Sequence, residues 1–454
     1  QGLEITGAIV CRDDGVLIAN RLDRSIPIVD EVERIEKVPI GEMAAVEVAG
    51  NAATVQILSN PYGIAGLFGL TPEQTKAITP IARTLIGARS GVVIYSSSGE
   101  VKLQKVDAGV ITVHGSTGER FAAVADGAER INEVVNRQDD IYDISGQEGT
   151  NAGNMFAEVK RMAARRTGLE PGAVKISDIA AVDTFAPIRV TGGIAGEYAM
   201  ENVVLIASMV KTSRFPMSAL AERIQEKTGI SVQISGKEAS SALLGALTTP
   251  GVSIPVAVLD LGGGSTDAAY LDDTGLRYTH TAGAGDMVTT MINLELALED
   301  RDIAELIKRY PLAKAESLHI LRFEDQSVKF LQEPMPPEFF ARTLIVTEEK
   351  LIPIRKKGLT MEKISLVRRE AKRKVFAANA LRALKKVAPE GNIRKIDFVI
   401  MVGGSALDFE VPDFINETLA PYQIVAGRGN ILGKYAARAA VAAGLILASG
   451  GEAD

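Results

Sequence analysis

The sequence predicts an α/β protein of several domains, on three observations. Its 454 residues amount to about three domains at roughly 150 residues each. Aromatic residues are only 5% and Trp is absent, whereas Gly reaches 43, which suits aliphatic cores joined by many tight turns. Aliphatic runs at 255–261 and 396–402 each stop at a glycine cluster, the pattern of buried strands ending in backbone turns.

The elements follow in order. Residues 5–10 and 16–18 read as strands around the turn Arg12-Asp13-Asp14-Gly15, and 26–31 as a third apolar stretch ending in Asp30 and Glu31. A helix is predicted over 71–85, because Pro72 and Glu73 occupy its first turn. Segments 91–96 and 101–106 flank Ser97-Ser98-Gly99-Glu100, a hairpin signal. Residues 125–220 carry mainly helical pattern, punctuated at 145–151 and 191–193. Further on, 300–309 predicts a charged helix, 334–337 a Pro-rich stretch, 361–387 a long amphipathic helix and 436–447 an Ala-rich buried closing helix. The basic residues of 361–387 (Arg368, Arg369, Lys372, Arg373, Lys374, Arg382, Lys385, Lys386) are expected on a solvated face, because acids and apolar residues interrupt them.

Composition removes several function classes. With 50 Lys+Arg against 57 Asp+Glu, the net charge of −7 gives no bulk attraction to nucleic acid. The single Cys11 excludes a disulfide framework, a four-cysteine zinc site and a cysteine-ligated cluster built from this chain alone. His114, His280 and His319 are too far apart in sequence for a His-rich metal cage. No apolar run approaches the ~20 residues that span a bilayer, and no basic-then-apolar signal opens the sequence, so no membrane contact and a cytoplasmic location are expected.

The chemistry concentrates after residue 235. An apolar strand runs into Asp260-Leu261-Gly262-Gly263-Gly264-Ser265-Thr266-Asp267, and a second strand resumes at Asp267. Glycine without Cβ lets the backbone approach a polyphosphate and aim N–H groups at its oxygens. Ser265 and Thr266 add hydroxyl donors, and Asp260 at the strand end can hold a hydrated Mg²⁺. No Lys follows the glycines, which excludes a Walker loop, and strand rather than helix follows, which excludes the dinucleotide fingerprint. Three other pieces accompany it. A small-residue helix at 236–247 carries Glu238, and Gly283-Ala284-Gly285-Asp286 opens a helix whose N-terminus offers free N–H groups to an anion. The third is Gly403-Gly404-Ser405, which ends a buried strand before a helix beyond Pro412.

In this order the four pieces resemble the second half of the actin-like ATPases. The resemblance implies an actin-like (ribonuclease H-like) core with ATP or ADP and Mg²⁺. Asp260 then lies near the metal and the attacking water, and Glu238 reaches the metal's water shell. Gly262, Gly263, Gly264, Ser265 and Thr266 grip phosphates, Gly285 faces the nucleotide, and Gly403, Gly404 and Ser405 pack on the adenosine. Leu407 departs from the adenine-stacking Arg of the chaperone members. The first phosphate hairpin of the superfamily, an Asp-x-Gly turn, has no counterpart before Asp260, and it is expected upstream of Gln1.

A narrower resemblance extends over nearly the whole chain. Leu58-Ser59-Asn60-Pro61-Tyr62-Gly63-Ile64 and the segments 12–17, 20–22, 27–32, 207–211, 245–251, 310–314 and 425–431 are similar to the large subunit of diol and glycerol dehydratase reactivating factors. That family implies an ATP-dependent chaperone that releases damaged cobalamin from a coenzyme-B12-dependent dehydratase, so that intact adenosylcobalamin can bind. It implies a small reactivase subunit as partner in a complex of two large and two small subunits. Asp13 and Asp30 match carboxylates that hold a divalent metal at the subunit contact. The expected domains are a swivelling β/α domain over 1–100, part of an ATPase lobe with linker over 101–220, and the phosphate-hairpin lobe over 221–310. An inserted helical region over 311–390 and the adenosine-side lobe over 391–454 complete the chain. Association with a bacterial microcompartment is compatible with this family. The rival readings are a small-metabolite kinase of the same fold, a non-hydrolysing nucleotide-binding scaffold, and an activator of 2-hydroxyacyl-CoA dehydratases. The last requires cluster cysteines that Cys11 alone does not supply.

Overall fold

The computed structural model describes residues 4–32, 35, 38, 40–50, 53–96, 102–103, 107–191, 198–211, 216–234, 237–356 and 358–450. The backbone falls into two compact units, one made of residues 1–105, 185–203 and 292–368, the other of 106–184, 204–291 and 369–454.

The first unit begins with two short parallel strands, Ala8–Ile9 and Ile28–Val29. Between them Gly15–Ala19 is helical, not the strand predicted at 16–18. The Ile18 N–H bonds Asp14 O at 2.9 Å, and the Asp30 carboxylate accepts the Gly15 N–H at 3.2 Å. These local bonds satisfy the backbone where a three-residue apolar run has no strand to join. Met43–Val48 pairs antiparallel with Ser90–Tyr95, beside helices Pro61–Phe68 and Pro72–Thr84. The second helix starts as its sequence predicts. Thr71 Oγ1 accepts the Gln74 N–H, Gln74 Oε1 accepts the Thr71 N–H at 2.9 Å, and Pro72 opens the first turn. Val55, Leu58, Ile64 and Ala82 form the core here. Among the described residues the two flanks of the hairpin predicted across 91–106 do not pair with each other, because each finds another partner. Ser90–Tyr95 joins Met43–Val48, and Lys102–Leu103 joins Val190 and Thr191. The tip of that hairpin (97–100) and Gly192 and Gly193 of the punctuation at 191–193 lie outside the described residues.

The 311–390 stretch, expected to be helical, opens instead with a five-stranded antiparallel sheet. Its order is Val328–Phe330, Ile320–Phe323, Leu312–Ser317, Thr343–Val346, Leu351–Pro353. The buried Ala313, Ala315, Leu321, Met335 and Leu344 form its core, with Ala313 and Ala315 two residues apart on one face of their strand. The charged helix is present as Arg301–Arg309, and Asp300 caps it by accepting the Asp302 and Ile303 N–H groups at 3.0 Å.

In the second unit, Gly118–Ala123, Val110–Gly115 and Ile141–Gly146 form an antiparallel sheet packed by helices Gly127–Asn136 and Asn151–Thr167. Ile111, Val113, Ile131, Ile144, Phe156 and Ile176 fill the space between them. The helical reading of 125–220 fails at Lys175–Thr191 and Tyr198–Lys211, which are long strands. Val174, Ile176 and Ala180 do alternate inward, but Asp178 takes an inward place among them and hides the period.

The other sheet of this unit is mixed. Strands β1 (Val256–Leu261), β2 (Ser265–Asp272), β3 (Gly275–Ala282), β4 (Phe398–Val402) and β5 (Val425–Arg428) lie in the order β3-β2-β1-β4-β5. The first three are antiparallel neighbours, while β4 runs parallel to both β1 and β5. Around it stand α1 (Glu238–Ala246), α2 (Gly285–Glu295), α3 (Ala378–Val387), α4 (Val411–Leu419) and α5 (Ala440–Ala448). The small residues of α1 serve close packing on α5. A Cβ on Gly245 would overlap the Ala440 carbonyl oxygen, and one on Gly444 would overlap that of Ser241.

Helix Met361–Lys372 continues through a π-turn, Arg373–Ala377, into α3. The solvated basic face expected there is corrected at three positions. Arg368 and Lys372 are fully buried, and Arg382 is nearly so. Each meets a carboxylate: Arg368 bonds Glu324 at 2.6 Å, Lys372 bonds Asp408 and Glu410 at 2.8 Å, and Arg382 bonds Asp178. Buried charge is tolerated because it is paired. Among the described residues no helix is long and apolar enough to cross a membrane.

Candidate functional site

The site forms where β1 stops. Aliphatic Val256, Val258 and Leu261 bury the strand, and three glycines then turn the chain back into β2. β2 begins at Ser265, two residues before the strand start expected at Asp267, and its register sets Asp260 directly opposite Asp267. One strand further, Asp267 faces His280 on β3. Three titratable side chains thus stand in a row across β1, β2 and β3.

The glycine turn is open. Gly263 and Gly264 are exposed, and a Cβ on Gly264 would meet nothing within 4 Å. The carbonyls of the triplet, by contrast, are all held. Gly262 O accepts the Gly285 N–H at 3.3 Å and the Ser405 hydroxyl at 3.2 Å, Gly263 O accepts the Asp286 N–H at 2.7 Å, and Gly264 O accepts the Gly283 N–H at 3.0 Å. The start of α2 therefore does not offer the free N–H groups expected of it, because the first of them brace the glycine turn from behind. Thr266 is buried and donates to Gly283 O at 3.0 Å, tying the same two segments together.

Electrostatics distinguish the acids. Asp260 is 6% exposed, and its Oδ2 has no hydrogen-bond partner. Burial, then the charges of Glu238 and Asp267, push its carboxyl up to about 6 from the ordinary 3.8. Asp267 is buried as well, with Oδ1 unpartnered and Oδ2 3.1 Å from His280 Nδ1. The Asp267 hydrogen bond holds the His280 imidazole above its usual range, against the opposing effect of burial. Two unpartnered carboxylate oxygens on adjacent strands suit a hard cation. Mg²⁺ takes few protein ligands and keeps waters and phosphate oxygens. Among the described residues no group of three or more His, Cys, Asp or Glu is arranged to hold a metal alone.

The structure brings Asp260, Gly262, Gly263, Gly264, Ser265, Thr266, Gly285, Gly403 and Ser405 together. Gly403 adopts φ +88°, and a Cβ there would overlap Asp260 Oδ1, so only glycine fits beside the carboxylate. Gly404, next to it, is exposed with open space around its Cβ position. Glu238 sits exposed at the start of α1, close enough for its charge to raise both Asp260 and His280. Asp13 and Asp30 belong to the first unit. Asp13 is exposed in the turn before Gly15, whose N–H the Asp30 carboxylate accepts. Sequence reasoning passed over Asp267 and His280 as site residues. The signal for Asp267 was available, since a hairpin centred between Gly263 and Gly264 sets residue 267 opposite residue 260.

Residues 122–449 match the family model of the diol dehydratase reactivase ATPase-like domain, and residues 1–101 match that of the swiveling domain of the same factor. The chain belongs to the diol dehydratase reactivase family. Relatives include the diol dehydratase-reactivating factor large subunit of Klebsiella michiganensis and the propanediol dehydratase-reactivating factor large subunit of Salmonella typhimurium. Each is 51% identical over 98% of this chain and 73% of its own length. Two solved structures, a glycerol dehydratase reactivase and a diol dehydratase-reactivating factor in nucleotide-free form, superpose with TM-score 0.77 at 50% and 51% identity. Both comparisons cover 99% of this chain and 74% of the other. This reactivase family member accordingly combines the family's swiveling domain with its ATPase-like domain, in the fold of the two solved reactivases.

Proposed function

We propose that this chain is the ATP-hydrolysing large subunit of a dehydratase-reactivating factor. It binds ATP at the glycine turn, and its nucleotide cycle drives release of damaged cobalamin from an inactivated coenzyme-B12-dependent diol or glycerol dehydratase. Half-identity to named reactivating factors along almost the full chain supports the client. The observation that carries the ATPase is the open, braced glycine turn beside two buried carboxylates with unpartnered oxygens.

In this reading the backbone of Gly263 and Gly264 and the Ser265 hydroxyl approach the phosphates, where a side chain on either glycine would stand in the way. Asp260 and Asp267, whose buried carboxylates each keep an unpartnered oxygen, would hold the Mg²⁺, and Glu238 would reach its water shell. The bound ion supplies neutralisation of phosphate charge. Asp260, beside the metal, orients the attacking water. Gly403, Gly404 and Ser405 form the adenosine side, and Gly285 holds the turn in place through Gly262.

The nucleotide shifts the conformational equilibrium only by its unequal affinity for the two states. The swivelling domain over residues 1–100 is the part that responds, and it contacts the small subunit through a divalent metal held by Asp13 and Asp30. The working complex has two large and two small subunits in the cytoplasm. The test is ATP-dependent release of cobalamin from glycerol-inactivated holoenzyme, followed by its visible spectrum, with hydrolysis measured in parallel. Release that proceeds equally with and without ATP and Mg²⁺ refutes the reading.

A further inference from the structure

A second layer of buried polar groups lies behind the glycine turn. Ala282, the last residue of β3, faces Ser265 across the sheet. Both of its backbone groups are held by side chains from elsewhere in this unit. Asp178 Oδ2 accepts the Ala282 N–H at 2.9 Å, and the Asn379 amide donates to Ala282 O at 2.9 Å and to Gly283 O at 2.7 Å. Arg382, one turn along α3 from Asn379, fixes Asp178 through Oδ1. It also donates to Asn136 Oδ1 at 2.6 Å and to Ile179 O at 3.1 Å. All three side chains are at least nine-tenths buried: Asp178 is 4%, Asn379 6% and Arg382 9% exposed.

The held segment controls the turn in front of it. Gly283 at φ +92° gives its N–H to Gly264 O, and its carbonyl takes the Thr266 hydroxyl as well as Asn379. The fit is close, because a Cβ on Gly283 would stand 2.9 Å from Asn379 Nδ2 and 3.1 Å from Ala180 Cβ. The Asn379 amide has two N–H donors, and both are used on this one turn.

We infer that Asp178, Asn379 and Arg382 form a clamp that fixes the 282–283 turn, and through it the glycine turn 262–264, so that they act as positioning residues for the reaction. None of the three contacts the glycine triplet itself. They act through the Gly264 carbonyl, with Ala282 and Gly283 as the link. The inference rests on the reading of 262–264 as the phosphate turn. It adds a device that sets where the turn stands, and a small displacement of a positioning element is costly to turnover.

The test is Asn379→Ala in the full-length protein. Asn379→Ser, which keeps one donor, serves as the second variant should the first not fold. Hydrogen exchange is measured at the Gly283, Gly285 and Asp286 amides, and ATP turnover and KM are measured in parallel. The expected result is exchange about tenfold faster at these three amides, with β1 and β4 unchanged. Turnover at saturating ATP should fall about tenfold, with KM within a factor of about three. Unchanged exchange at the three amides, or an equal rise throughout the unit, overturns the clamp. A wild-type protein that neither binds nor hydrolyses ATP overturns the nucleotide reading instead. The exchange measurement needs no nucleotide and decides the clamp in either case.

Discussion

Asp260→Asn separates the cost of the buried acid from its use. Holding the Asp260 carboxyl at about 6 instead of 3.8 means that the folded chain disfavours the ionised form. At about 1.4 kcal/mol per tenfold change in acidity, the penalty is about 3 kcal/mol. The sign follows from proton linkage. Between pH ~4 and ~6 the folded state binds more protons at this site than the unfolded state, so the stability contributed by this group falls as pH rises. Above pH ~6 the full penalty applies, and below pH ~4 it vanishes. Asn, of the same shape and without charge, escapes it.

The unliganded variant should therefore unfold at higher denaturant concentration than the wild type at pH 8, by about 2–3 kcal/mol, with the advantage shrinking at pH 5. Mg²⁺ with ADP should stabilise the wild type and leave the variant unmoved, and ATP turnover in the variant should drop by at least about a hundredfold. Urea titrations at the two pH values, with and without Mg²⁺ and ADP, read the stability arms, and a steady-state ATPase assay reads the turnover. A variant less stable than the wild type at pH 8, or an advantage indifferent to pH, refutes the account of Asp260 as a charge held at a cost for a cation.

Two other predictions address neighbouring charges. Asp267→Asn replaces the charged acceptor that keeps His280 elevated with a neutral amide, so the imidazole should titrate at lower pH, as followed by the His280 ring proton resonances. Lys372→Met leaves the buried Asp408 and Glu410 without their shared ammonium and should cost about 3–5 kcal/mol by urea titration. Adding Asp408→Asn and Glu410→Gln should restore much of that loss.

Much of the candidate site was legible because its signals are local. The glycine triplet, the strand before it and Gly403-Gly404 are contiguous in sequence, and β1 and β4 are apolar runs that no solvated element would carry. Helix 72–84 announced itself through Pro72 and Glu73, adjacent in its first turn. What escaped depends on pairing over distance. Asp178 and Arg382 are 204 residues apart, and no periodicity marks either as the partner of a buried charge. The same blindness put Lys372 on a solvated face, since a lysine with acids nearby in sequence looks like surface until Asp408 and Glu410 arrive from beyond β4. Strand 175–191 was hidden by its own inward Asp178, a residue that belongs to the clamp and not to the core.

The π-turn at Arg373–Ala377 determines what a length change would do to this molecule. It inserts one residue into the spiral, and each residue of a regular helix advances the side-chain direction by about 100°. Upstream of it Lys372 points at Asp408 and Glu410, and downstream Asn379 and Arg382 point at the Ala282 turn and Asp178. Loss of a single codon within 373–377 would straighten the rod and swing one of these two polar anchors out of phase with its socket. Local propensity would improve, yet the winding is locked at both ends, so a shortened helix has no rotation that satisfies both.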